Sequence, residues 1–321
     1  MLVKIDCEKG EGVEIAKEFG IRGYPSYVMV DAARLVTASW IGYDGPASFA
    51  ARVADGVTDQ RTIELKEASF AEAPSALLAR TIAHHKAKHY DFAGAAILLR
   101  QARDLDSDSE ADYAASILFF MFYAAQGGDV TLDEFEIEAK QAAAAADAAA
   151  SDHLELAMMM SSLARGNDAP ERAIPYLKRA MAYPEQDLDE GDLRTRGRLA
   201  VDYALLVTGD KNEAVALKKA SQPEDWMESA GRLNAFAWWC FENEVNLEEA
   251  QVLAMRGVEL ATDDKQRASI LDTAAEICHA SGNCDEAVKL IQRAIELDPE
   301  QEAFRKQLVR FELARDEADR G

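Results

Sequence analysis

The stretch Ala268–Gln301, ASILDTAAEICHASGNCDEAVKLIQRAIELDPEQ, decides how this chain folds. It contains two runs of helical period joined at Gly282. Leu271, Ala274 and Ala275 share one face of the first run, and Ala287, Ile291 and Ala294 share one face of the second. Small residues at those places let two helices approach closely, while Gly282 makes the turn and Pro299 ends the second helix. A helix pair of this size cannot bury its own apolar face, so it needs neighbours built the same way.

Those neighbours are found by working backward from Glu286-Ala287. The same Glu-Ala pair recurs at Ala250 and Ala214, and a looser version without the Glu occurs at Ala173 and Ala95. The steps are 287−250 = 37, 250−214 = 36 and 214−173 = 41, and the 78 residues between Ala95 and Ala173 leave room for two units. The intervening unit pairs Asp112–Ala125 with Leu132–Ala149 across Gln126–Asp129. The alanine-rich block Gln141–Ala150 is expected to be helical, because alanine has the best helix propensity. About six helix pairs are expected in all. The set of positions in Ala268–Gln301 resembles the tetratricopeptide repeat, whose period is about 34 residues. That resemblance implies a mostly α fold, an α–α superhelical solenoid over residues 74–321, whose concave groove binds a protein or peptide partner. It places Arg196, Leu199 and Tyr203 of one first helix in the groove, Arg232, Ala235, Trp239 and Glu242 of the next, and Asp272, Glu276 and His279 of the last. Tyr203 and Trp239 would be equivalent anchors, since large rings near Arg are the residue types that hold peptides. The competing reading is that Trp238, Trp239 or both pack between repeats. The Lys and Asn set with which the chaperone-binding members clamp a terminal carboxylate is missing, so that ligand is not expected.

The N-terminal 57 residues read differently. Leu2–Asp6 has strand character, Val13, Ala16 and Phe19 share a helical face closed by Gly20, and Gly23-Tyr24-Pro25 leads into the apolar run Tyr27–Val30. A turn at Asp31–Ala33, a strand from Leu35 to Ile41 and a helix opening at Pro46 follow. Over residues 2–56 this resembles the second half of a thioredoxin domain, which implies that Pro25 is a cis-proline and that this part is a partial α/β domain. The half that would carry Cys-x-x-Cys is missing, and Cys7, Cys240, Cys278 and Cys284 include no pair of that spacing. The family's dithiol chemistry, in which the second thiol resolves the mixed disulfide, is therefore not expected of this chain. A truncated fragment is the favoured explanation, with residues 58–73 as a short acidic linker or capping stretch.

Composition narrows the partners. With 58 acidic against 35 basic residues the formal net charge is −23, a field that repels phosphate backbones and anionic lipid. No apolar run approaches the ~18–20 residues of a membrane span. Four dispersed cysteines suit a reduced, cytoplasmic chain, with a periplasmic or secreted location open if an upstream signal segment exists. His85 and His89 have the i, i+4 spacing of a metal pair beside His84, but Lys86 and Lys88 favour a solvated helix face. Cys278, His279 and Cys284 could hold zinc, yet their positions favour structural cysteines. Cys7 runs into the acidic loop Glu8–Gly12, a setting that disfavours a thiolate and with it a redox role. No cofactor is expected and the oligomeric state is open. Two functions follow: an interaction scaffold with a redox-inactive thioredoxin-like remnant, or, as the alternative, a thiol-disulfide oxidoreductase or isomerase whose Cys-x-x-Cys lies upstream.

Overall fold

The computed structural model describes residues 3–106, 113–145 and 148–318. It divides into two units, residues 1–195 and 196–321.

The first unit opens irregularly. Val3–Asp6 is not a strand, as the sequence led us to expect; it runs as exposed chain, and Leu2 lies outside the described residues. Helix α1 (Glu11–Glu18) follows and closes at Gly20, where the amides of Gly20 and Ile21 return to the carbonyls of Lys17 and Ala16. The cis Tyr24–Pro25 bond then leads into an antiparallel hairpin of β1 (Ser26–Val30) and β2 (Val36–Ile41). Asp31 closes the turn by accepting from the amides of Ala33 and Leu35. Helix α2 (Pro46–Thr58) starts at a proline and lies close against the hairpin: a Cβ on Gly56 would sit 2.5 Å from Met29 Sδ. Phe49 of α2 meets the stacked rings of Tyr27 and Trp40 edge-on.

The expected linker at 58–73 is in fact helix α3 (Ile63–Glu72), capped by Thr62. Its short length and mixed polarity hid it, because its burial depends on the hairpin rather than on its own period. Lys66 is fully buried and donates to the carbonyl oxygen of Thr37 at 2.5 Å. Beyond it come α4 (Ala76–Lys88), α5 (Phe92–Leu105), α6 (Ala114–Gly127), α7 (Leu132–Ala143), α8 (Ala150–Gly166) and the short α9 (Ile174–Ala180). The Gln141–Ala150 block is not one helix: α7 ends at Ala143, and α8 begins at Ala150, where Asp152 accepts from the Ala149 amide at 2.7 Å. A cap that starts a new helix here outweighs alanine propensity. Asp112 and Asp147, named in that sequence reading, lie outside the described residues. Two partly buried ion networks tie these helices together: Arg80 to Asp55, Asp106 and Tyr113, and Glu138 to Arg100 and Arg103.

Helix α10 (Glu190–Tyr203) spans the division. The second unit continues with a π-helical turn at Ala204–Thr208, α11 (Lys211–Ala220), α12 (Ala230–Glu242), α13 (Leu247–Leu260), α14 (Asp264–Ala280), α15 (Cys284–Leu297) and α16 (Glu302–Ala318). The hairpins α12–α13 and α14–α15 share one core, in which Ala237, Ala250, Ala275 and Ala287 are fully buried. Alanines at the helix contacts permit the close approach that the sequence pattern implied.

Candidate functional site: the open face of the second unit

The candidate groove residues all fall in the second unit, and the structure separates them sharply. Arg196 and Tyr203 are half-buried on α10. Arg232 is exposed and ion-paired with Asp225. Trp239 is 6% exposed, with Phe236 at 6.0 Å between ring centroids and the Lys218 ammonium 5.4 Å from its ring. It belongs to the core and cannot anchor a ligand there. Its neighbour Trp238 is the exposed ring, 37% accessible, with Phe241 at 5.1 Å. Glu276 is likewise buried, covered by Gln307 and Arg310 of α16.

The displacement from Trp238 to Trp239 is a register slip of one residue. The step of 37 holds for second helices, where Ala250 and Ala287 are both fully buried. First helices are one further apart: Leu233 matches Leu271 (271−233 = 38), and Phe236, Ala237 and Cys240 match Ala274, Ala275 and Cys278. The cause is the turn. After α14 only Ser281, Gly282 and Asn283 precede α15, with Gly282 at φ 80°. After α12 four residues intervene, because Val245 tucks into the core at 2% exposure between Glu244 and Asn246, which take φ of 50° and 51°. With the corrected register Asn234, Trp238 and Phe241 correspond to Asp272, Glu276 and His279. Of these only Trp238 is exposed: Phe241 packs against the shared core, and α16 covers Glu276 and packs on His279.

The side of α14 is acidic. Burial, reinforced by the nearby Glu276 carboxylate, pushes Asp272 up to about 6, against the opposing pull of Gln307 and Arg310. On α12, the Asn234 Oδ1 atom is buried without a partner.

The other candidates resolve as follows. His84 and His85 are not on a solvated face: both are partly buried, and His85 Nδ1 lies 2.8 Å from the Ser39 hydroxyl of β2. Burial pushes His84 down to about 3 and His85 down to about 4. Lys88, 2% exposed, donates to the Phe19 carbonyl at 2.5 Å. The helix period alone could not reveal this, because the hairpin that covers α4 is distant in sequence. Among the described residues no three His, Cys, Asp or Glu side chains are grouped as a metal site. All four cysteines are free. Burial pushes Cys240 up to about 12 and Cys278 up to about 11, while Cys284 Sγ lies 4.0 Å from His279 Nδ1. Cys7, half-buried, lines an open crevice of about 450 Å³ with Lys4, Asp6, Glu8 and Tyr24, beside the cis Tyr24–Pro25 bond. Among the described residues no helix is long and apolar enough to cross a membrane.

No family model and no curated protein matches the chain. Among solved structures it is similar to YrrB, described as a TPR protein with an unusual peptide-binding site. The TM-score is 0.35 and the identity 16%, over 76% of this chain and 97% of that one. Likeness at that level leaves function to be read from the residues themselves.

Proposed function

We propose that the chain is a protein-interaction scaffold whose second unit, a set of tetratricopeptide-like helix hairpins, binds a peptide or helix of a partner. The binding surface is the side of α12 that exposes Trp238. The observation that carries this reading is the exposed Trp238 ring on α12, which sits 5.1 Å from the half-buried Phe241 that packs against the core. Exposed Trp beside a second ring is the kind of anchor that dominates interface energetics. The exposed Glu242 one turn beyond Trp238, with the chain's net charge of −23, favours a segment that is apolar with basic residues over a nucleic acid. The N-terminal hairpin and its helices read as a redox-inactive thioredoxin-like remnant. The reading is tested by peptide-display selection on the full chain, followed by affinity measurements on the selected peptides. Trp238→Ala is expected to weaken binding at least tenfold, and retention of full affinity by that variant would remove Trp238 from the binding face.

A further inference from the structure

The contact between α14 and the terminal helix α16 is short of hydrogen. Glu276 is a carboxylate only 4% exposed. Its Oε1 accepts from Gln307 Nε2 at 2.9 Å and from the Arg310 guanidinium, but its Oε2 accepts from nothing. One turn earlier on the same helix, Asp272 Oδ1 is buried and unpartnered, and so is Gln307 Oε1. Three acceptor oxygens from two helices are therefore buried without a hydrogen-bond partner, although the Gln307 amide and the Arg310 guanidinium lie at the same contact. A buried acceptor left in that state is costly, and native structures avoid it wherever a partner can be found. The simplest donor is a proton. A protonated carboxyl supplies one O–H while keeping its remaining acceptor capacity, so a proton on Asp272 gives this cluster of acceptors a hydrogen to share.

We propose that α16 is held against α14 by a proton carried on Asp272, and that loss of this proton loosens α16 and uncovers the adjoining side of the α14 face. The latch goes beyond the partner-binding reading and does not depend on it. Glu276 on the same helix and Arg310 on α16 are the charges that act on Asp272, with the Gln307 amide between the helices. One more turn along α14, the His279 ring packs 4.8 Å from Phe311 of α16, so the latch sits at the edge of an apolar contact that it reinforces. With Asp272 ionised, two carboxylates one turn apart face a single Arg310 and repel each other.

The direction of the pH effect follows. Asp272 holds its proton up to about pH 6 when α16 is closed, and releases it near 3.8 once exposed. Between those values the closed state carries a proton that the open state lacks, so rising pH favours opening. The stabilisation is complete below 3.8 and gone above about 6. The interval of 3.8 to about 6 corresponds to a change of about a hundredfold in the opening equilibrium.

Amide hydrogen exchange of the full chain, read by mass spectrometry at pH 5 and pH 8 and normalised to intrinsic chemical rates, tests the latch. Protection over residues 302–318 is expected to fall between the two values by about tenfold, while α12 changes little. Asp272→Asn offers a donor that does not titrate, so it should keep α16 protected at pH 8 and flatten the profile. Asp272→Ser, which shortens the side chain, should leave α16 poorly protected at both. Equal protection of α16 at the two pH values in the parent, or an undiminished fall in Asp272→Asn, would overturn the proposal.

Discussion

Replacing Trp239 and Trp238 one at a time separates the two registers available to α12. Trp239 is 6% exposed, packed on Phe236, with the Lys218 ammonium 5.4 Å from its ring. Truncating a buried large aromatic to alanine removes its transfer free energy and leaves a cavity, a loss of about 3–5 kcal/mol. Trp238 is 37% exposed and contacts chiefly Phe241, so its removal should cost about 1 kcal/mol. In a unit of this size about 4 kcal/mol lowers the thermal midpoint by roughly 10–20 °C, against roughly 3–5 °C for the exposed ring. Differential scanning calorimetry on the full chain resolves that difference, with the second unit's transition followed in both variants. Equal destabilisation by the two substitutions, or a larger loss from Trp238→Ala, would refute the assignment of Trp239 to the core and with it the one-residue correction.

Burial holds the Lys66 ammonium below the usual lysine range, and it has a single carbonyl acceptor. Stability should therefore rise with pH from the folded pKa toward 10.5, the range in which the unfolded chain binds the extra proton. Lys66→Met should raise the urea midpoint at neutral pH and flatten that alkaline rise; a lower midpoint would show that the Thr37 contact outweighs desolvation. Thiol labelling of the folded chain should modify Cys7 and Cys284 within minutes and leave Cys240 and Cys278 unmodified until denaturant is added, as read by peptide mass spectrometry. Rapid modification of Cys240 would contradict its placement in the core. An insulin-reduction assay on the chain should show no turnover, because none of its cysteines is two residues from another.

The helical repeats were legible because their signals are local. Gly282, Pro299 and the alanines at helix contacts state their roles through spacing, and so does Pro46 at the start of α2. What was not legible depended on residues far apart in the chain. The hairpin buries Lys66 and partly covers His85 from more than twenty residues away, and the end of α1 covers Lys88, so polar residues that resembled a linker and a solvated face became packed. The candidate face failed for a smaller reason. A turn that absorbs Val245 is one residue longer than a turn built on Gly282, and one residue on a helix rotates the exposed ring by about 100°. Spacing measured on the second helices could not report what the turn had added. Glu276 was misplaced for a third reason: α16 covers it, and a terminal helix leaves no mark on the repeat that it caps.

The account stands most directly on where a partner segment sits. Hydrogen-exchange footprinting of the full chain, with and without a saturating display-selected peptide, should show added protection centred on α12, together with quenching or a shift of Trp238 fluorescence. Protection confined to the first unit, with α12 unchanged, would contradict it.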